Sequence, residues 1–163
     1  MMYRVLILAV ALAGCSVAAP AASPTFDPLA FFTGESRGEG TLKILAKPRV
    51  TIRVESHGRS DGNGGLILDQ TIRQGDKPAR QRQWVLRPTS PTSMSGTISG
   101  NPGPVNGRMD GNRLLLNYAM KGGLKVQQVL TMQPDGRSLV NRMTVRKFGL
   151  PVARVDEVIT KVD

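Results

Sequence analysis

The chain is poor in cysteine and histidine, and each shortage excludes a class of chemistry. One cysteine in 163 residues allows no internal disulfide, so the fold must be stabilised by its hydrophobic core. The single histidine, His57, argues against catalytic triads and most zinc sites, which need histidine with partner residues. The sequence therefore predicts no catalytic residue, no metal site and no cofactor, and we expect a protein that is not an enzyme.

Aromatic residues are also scarce, at 4% of the chain. So few aromatic rings do not suit stacking on nucleic-acid bases, or the aromatic girdles of a membrane-spanning β-barrel. The net charge of +10 nevertheless favours anionic partners. Because the cations are spread along the chain, we expect no nucleic acid partner and a solvated or lipid-facing basic surface.

The N-terminus has the three parts of a secretion signal. A short cationic start ends at Arg4, and an unbroken apolar run, Val5–Ala13, follows. That run is shorter than the roughly 20 residues needed to span a bilayer. Leu12-Ala13-Gly14-Cys15 resembles the bacterial lipobox, which implies lipid attachment at Cys15 after cleavage. Ser16, next to this cysteine, implies the outer membrane on its periplasmic side.

These features predict three parts of the chain. We expect a lipoprotein signal peptide at 1–14, a lipidated tether at 15–25 and a single β domain at 26–163. The protein would be a lipid-anchored monomer in the cell envelope, with the membrane as its partner through the N-terminal lipid.

Apolar residues from about residue 41 onward recur with a period of two. Val50, Ile52 and Val54, for example, alternate with Thr51 and Arg53. This alternation predicts strands with one buried face. Glycine-rich turn signals separate the runs and favour antiparallel hairpins.

The spacing predicts an all-β fold with eight or nine strands. They form an antiparallel up-and-down meander that either closes into a small barrel or stays a strongly rolled sheet. A short helical turn is expected near residues 28–33, with Asp27 as its cap and Pro28 at its first position.

Several short segments resemble a known family. They are Phe31-Phe32-Thr33-Gly34, Gly38-Glu39-Gly40, Arg82-Gln83-Trp84, Gly111-Asn112 with Tyr118, Asn141-Arg142-Met143 and Lys147-Phe148-Gly149. Together they resemble an uncharacterised family of bacterial envelope lipoproteins, known as domain of unknown function 3833, over roughly residues 26–161. The resemblance implies a calycin-like or lipocalin-like barrel and a lipid-linked role. It implies no catalytic residues, and the chain departs from the family pattern at Gln127-Gln128-Val129-Leu130.

Polar and aromatic residues at inward positions form a candidate ligand pocket. Asn141 has the same strand parity as Leu139 and Met143, and Gln128 also lies between apolar residues. The full candidate set is Trp84, Tyr118, Gln128, Asn141, Arg142 and Met143.

We therefore expect a non-enzymatic binder or carrier of a fatty acid, a lipid or another apolar small molecule. Two alternatives remain open. The protein could be a structural or interaction lipoprotein, with a packed core and a basic surface that contacts anionic envelope components. It could also be an accessory to lipid-modifying enzymes.

Overall fold

A computed structural model describes residues 25–162. The chain forms one short helix followed by ten strands. Their bounds are α1 Pro28–Phe32, β1 Gly34–Ile44, β2 Val50–Ser60, β3 Leu66–Gln74, β4 Arg80–Ser90, β5 Ser93–Ile98, β6 Val105–Asp110, β7 Arg113–Met120, β8 Leu124–Met132, β9 Ser138–Lys147 and β10 Leu150–Val162. Cys15, the predicted signal and the tether up to residue 24 lie outside the described residues.

The strands form a closed antiparallel barrel with up-and-down topology. Each strand pairs with its neighbours in sequence, and β10 pairs with β1. Within residues 25–162 every strand is paired on both edges, and the hydrophobic core is built from that same segment. This segment therefore meets the physical criteria of an independently folding domain. The predicted all-β meander is confirmed, in its closed form.

The strand count of eight or nine was wrong, because β5 and β6 show too little alternation to be recognised. Gly107 occupies a buried inward position on β6, where an apolar side chain would have revealed the strand. A Cβ atom at Gly107 would collide with the side chain of Met94 on β5. The large methionine thus fills the space that the glycine leaves open.

The predicted helical turn is confirmed with its cap. The Asp27 carboxylate accepts hydrogen bonds from the backbone amides of Leu29, at 2.9 Å, and Ala30, at 3.1 Å. Pro28 occupies the start of the helix. The described part of the chain contains no helix with the length and apolar character of a membrane span.

Helix α1 closes one end of the barrel. Phe26, Phe31 and Phe32 are buried there and meet edge to face, with ring centroids 6.1 and 5.0 Å apart. The Lys161 ammonium of β10 donates to the carbonyls of Phe31, at 3.0 Å, and Thr33, at 2.6 Å. Because alternate hairpins lie at opposite ends, the β1–β2, β3–β4, β5–β6, β7–β8 and β9–β10 hairpins surround the other end. We call it the open end.

Candidate functional site

The barrel encloses a cavity of about 460 Å³ that reaches the hairpins of the open end. This volume lies within the range of roughly 300–1,000 Å³ found for small-molecule pockets. Most of its wall is aliphatic or methionine side chains from β1–β3 and β7–β10. These are Leu42, Ile44, Ile52, Val54, Ile72, Met120, Leu124, Met143, Val145, Val152, Ala153 and Val155.

The other half of the barrel is packed with side chains. The space between the cavity and α1 contains a void of about 50 Å³ and is otherwise occupied by buried side chains that include Trp84, Leu86, Leu114, Leu116 and Leu130. A layer of polar side chains separates the packed half from the cavity. We call this layer the polar floor; its members are Gln70, Arg82, Tyr118, Gln128, Asn141 and Glu157.

Gln70 is the centre of one hydrogen-bond network in the floor. Its side-chain oxygen accepts from Trp84 Nε1 at 2.8 Å, from Arg82 Nη2 at 2.7 Å and from Arg82 Nε at 3.1 Å. Its side-chain nitrogen donates to Ser56 Oγ at 3.0 Å. The Arg82 guanidinium also lies over the Trp84 ring, 5.0 Å from the centroid. The network therefore holds a positive charge at the base of the cavity.

Burial lowers the pKa of Arg82, but arginine starts so high that it remains charged near neutral pH. Nearby Tyr118 and Glu157 act in the opposite direction, since negative charge on either group favours the guanidinium cation. Arg82 is thus a permanent cation in a largely apolar cavity. Three of its five N–H donors are not used by Gln70.

Glu157 and Asn141 form the opposite part of the floor. Asn141 Nδ2 donates to Glu157 Oε2 at 2.7 Å. The other oxygens, Asn141 Oδ1 and Glu157 Oε1, are buried and have no hydrogen-bond partner among the described residues. Buried polar atoms normally have partners. These two oxygens therefore mark the place where a bound molecule could contribute a hydrogen bond.

Gly38 of β1 makes room for the Glu157 carboxyl group. A Cβ atom at this position would collide with Glu157 Oε1, so only glycine leaves the space. Burial raises the pKa of Glu157, although the hydrogen bond from Asn141 and the charge of Arg82 act to lower it. The raised pKa favours the neutral carboxylic acid, which can donate as well as accept a hydrogen bond.

Tyr118 completes the floor beside Trp84. The Tyr118 hydroxyl donates to Gln128 Oε1 at 3.3 Å and lies 3.5 Å from Met143 Sδ. The Trp84 and Tyr118 rings meet edge to face with centroids 5.5 Å apart. Burial raises the pKa of the Tyr118 phenol, which therefore stays protonated.

The structure brings together five of the six residues predicted for the pocket. Trp84, Tyr118, Gln128 and Asn141 are buried inside the barrel, and partly buried Met143 lines the cavity. That they bind a ligand stays a prediction.

Arg142 is the exception, and its place in the predicted pocket was wrong. Its side chain is exposed on the outer wall, because successive residues of a strand point to opposite faces and Asn141 points inward.

Sequence reasoning missed Gln70, Arg82 and Glu157, although the signal was present for two of them. Gln70 stands at the inward parity of Leu68 and Ile72, and Glu157 stands at the inward parity of neighbouring apolar residues on β10. Polar residues inside an apolar alternation identify floor positions. Arg82 is harder to recognise, because the buried residues Trp84 and Leu86 follow it at the same parity but a second cation, Arg80, precedes it.

Among the described residues, no group of three or more histidine, cysteine or acidic side chains could hold a metal ion. The polar floor instead offers one fixed cation, one carboxyl group that favours its neutral form, and amide and phenol groups. Such groups can orient the polar end of an organic molecule, or exchange a proton with it.

Comparison with known proteins supports the fold. The sequence matches the family described as "Protein of unknown function (DUF3833)" over residues 9–161, and it matches no curated protein. Two solved structures are similar: the S-type phycobiliprotein lyase CPES from Guillardia theta and Rv2717c from M. tuberculosis.

Both solved structures have a TM-score of 0.64 and both matches cover 83% of this chain. The lyase is 8% identical and 90% of it is covered, whereas Rv2717c is 15% identical and 95% of it is covered. At these identities the likeness shows the fold alone. The fold is a calycin-like barrel, as the sequence predicted.

The expectation that the protein is not an enzyme requires correction. One protein with the same barrel architecture is named a lyase, so this architecture is not confined to proteins without catalytic activity. The shortage of histidine and cysteine excluded particular kinds of catalytic site and did not exclude catalysis. What the comparisons support is a barrel consistent with binding a small molecule.

Proposed function

The chain belongs to the DUF3833 family of proteins of unknown function, and we propose that it binds one elongated apolar molecule with a polar end, such as a fatty acid or another lipid. The observation that carries the proposal is the cavity of about 460 Å³ with an aliphatic wall and a polar floor. A structural protein with a fully packed barrel would not contain such a cavity.

The ligand would enter from the open end with its polar end towards the floor. Arg82 supplies the positive charge that a carboxylate or phosphate requires. Asn141 Oδ1 and Glu157 Oε1 lack partners on the same floor, and neutral Glu157 could donate to an anionic oxygen. The hydrocarbon part would then contact the aliphatic wall, where its burial provides most of the binding free energy.

The predicted lipid attachment at Cys15 suggests where in the cell this binding would take place. A lipid at Cys15 would hold the barrel near the periplasmic face of the outer membrane, within reach of fatty acids and phospholipids. The proposed role is then a lipid-anchored binder or carrier in the cell envelope. Its single cysteine would be used for anchoring.

Fluorescence tests ligand binding, because Trp84 is the only tryptophan and is buried beside the floor. The domain of residues 25–163 is titrated with the fluorescent fatty acid cis-parinaric acid, and energy transfer from Trp84 is measured. We expect saturable binding of one molecule per barrel, with competition by unlabelled palmitate. Native mass spectrometry of freshly purified protein should show co-purified lipid. Lack of both signals would refute the proposal.

Two matched pairs of variants test where the molecule binds. Ala153→Phe adds a ring inside the cavity, whereas Ala119→Phe adds the same ring on the exposed outer face of β7. Only the first should weaken binding, by about tenfold or more. Arg82→Met at the floor should weaken binding of a fatty acid more than that of its methyl ester, and Arg80→Met at the mouth should affect both alike.

A second candidate function is proton transfer to or from the bound molecule. The observation that favours it is Glu157, a buried carboxyl group with a raised pKa beside a cavity, which is the setting of many general acids and bases. Lipids recovered from wild-type protein and from Glu157→Gln protein would be compared by mass spectrometry and by isomer separation. Identical lipids from both proteins would argue against catalysis by Glu157.

A further inference from the structure

Three adjacent hairpins at the open end form a continuous basic surface. They connect β1 to β2, β9 to β10 and β7 to β8, which are neighbours around the barrel. Their segments 41–50, 119–126 and 144–154 contain no aspartate or glutamate. Their cations are Lys43, Lys47, Arg49, Lys121, Lys125, Arg146, Lys147 and Arg154. We call these three hairpins the basic rim.

The charges of the basic rim have no acidic partner in the part of the chain that the structure describes. No cation of the rim forms a salt bridge with a carboxylate in residues 25–162. The five ion pairs seen there instead use acidic residues of β1–β3 and of the β2–β3 turn, Glu35, Glu39, Glu55, Asp61 and Asp69. The net positive charge of the chain is therefore concentrated on one end of the barrel and is available to an anionic partner.

Large apolar side chains project from the same rim. Phe148 is 92% exposed, Leu150 is 70% exposed and Leu45 is 68% exposed. The two hairpins that carry them are in contact, since the Leu45 amide donates to the Val152 carbonyl at 2.8 Å. Lys147 Nζ lies 5.6 Å from the centre of the Phe148 ring. The rim therefore combines exposed apolar tips with flanking ammonium groups.

Phe148 also has an unfavourable backbone conformation. Its φ angle is +50° and that of Gly149 is +84°, so the β9–β10 turn requires left-handed conformations at both positions. Asparagine followed by glycine is the preferred pair in such turns, and a bulky aromatic residue is disfavoured. Because 92% of Phe148 is exposed, burial of its ring does not offset this strain. Strained residues of this kind often serve a function.

We propose that the basic rim docks on a lipid surface that contains anionic phospholipids. Phe148, Leu45 and Leu150 would insert among the headgroups, and the lysines and arginines would pair with phosphates. The cavity opens directly behind the rim, where Ile44, Leu124 and Val152 line it. A docked barrel would therefore face the membrane with its open end. The docking surface goes beyond the proposed ligand site, because it needs no molecule in the cavity.

Vesicle binding tests the docking surface on the domain of residues 25–163, which the fold shows to be self-contained. The domain is co-sedimented with vesicles of phosphatidylcholine alone and of phosphatidylcholine mixed with phosphatidylglycerol. We expect binding to the mixed vesicles only, weakening as salt increases. The double variant Lys121→Gln, Lys147→Gln should lower the partition coefficient about 25-fold, from about fivefold per charge. Its control, Arg108→Gln with Arg113→Gln near the α1 end, should leave binding unchanged.

Phe148→Asn separates docking from folding. This substitution removes the apolar tip and supplies the preferred turn residue, so vesicle binding should fall about five- to tenfold. The midpoint of thermal unfolding should stay equal or rise. Val158→Thr, on the outer wall away from the rim, is the control for loss of an exposed apolar side chain.

Three results would refute the proposal that the basic rim docks on an anionic lipid surface. They are equal binding to neutral and anionic vesicles, loss of binding in the Arg108, Arg113 control, and a dimer in solution that Phe148→Asn dissociates while vesicles are not bound. Titration with cis-parinaric acid without vesicles keeps the two proposals distinct. Vesicle binding with no probe binding would support the docking surface and refute only the ligand proposal.

Discussion

Replacing Gln70 by leucine should destabilise the barrel by about 2–4 kcal/mol. Leucine is of similar size and leaves no large void, but the indole N–H of Trp84, the guanidinium of Arg82 and the hydroxyl of Ser56 all lose their partner. A buried group left without a partner costs about 1–3 kcal/mol, and a bond to a charged group contributes about 1.5–3 kcal/mol. The net cost is smaller than the sum of these contributions, because Arg82 can turn towards the cavity and leucine buries apolar surface.

Unfolding in urea, followed by the fluorescence of Trp84, measures this change. Trp84 is the only tryptophan of the chain and donates directly to Gln70, so the same probe also reports the local environment. Gln83→Leu is the matched control, since Gln83 is exposed on the outer face of the adjacent strand. It should change the free energy of unfolding by about 0.5 kcal/mol or less.

Gln70→Glu gives a second comparison. A carboxylate can accept from both Trp84 and Arg82 and can accept from the Ser56 hydroxyl, so this variant should lose about 1 kcal/mol or less. If Gln70→Leu were no more destabilising than Gln83→Leu, the floor network would contribute little to stability, and the stabilising role of Gln70 would be refuted.

Three further predictions concern Glu157, Gly38 and Cys15. The raised pKa of Glu157 means that its contribution to stability is complete below about pH 4.5 and is lost as pH rises through the raised value. Wild type should therefore lose stability relative to Glu157→Gln as pH approaches neutrality, as urea unfolding at several pH values would show; parallel curves would contradict this. Gly38→Ala should cost about 1–3 kcal/mol by displacing the Glu157 carboxyl group, and should cost less in a Glu157→Ala background; an equal cost in both would exclude that contact as the cause. Cys15→Ala should abolish palmitate labelling in cells and release the protein from membranes washed in high salt, whereas persistent labelling would place the anchor elsewhere.

The fold could be predicted where alternation is regular and the turns are rich in glycine. The run around Ile52 predicts β2 directly, and Asp27 with Pro28 predicts α1. Hydrophobic alternation did not predict β5 and β6, because an inward glycine such as Gly107 contributes no apolar side chain to the pattern. Met94 fills a space that Gly107 leaves on the neighbouring strand. A pattern within one stretch of sequence cannot show such a contact between strands.

The candidate site could be predicted only in part. Strand parity identified Asn141 and Gln128 as inward-facing residues. It could not show that Asn141 forms a hydrogen bond with Glu157 on the neighbouring strand. Arg82 resembles any surface arginine in the sequence, and only the position of Gln70 on β3 shows that it is fixed inside. The volume of the cavity depends on closure of the barrel. The sequence did not decide between a closed barrel and a strongly rolled sheet, so it could not predict this volume.

The pairing of β1 with β10 has a consequence for synthesis of the protein. Strand β10 closes the barrel against β1, and Lys161 of β10 donates hydrogen bonds to the end of the helix that precedes β1. A nascent chain therefore cannot close the barrel until β10 has been made. Closure joins residues more than 120 positions apart, such as Glu35 and Val162, which makes folding slow. A chain that folds late stays available longer to the factors that handle unfolded polypeptides.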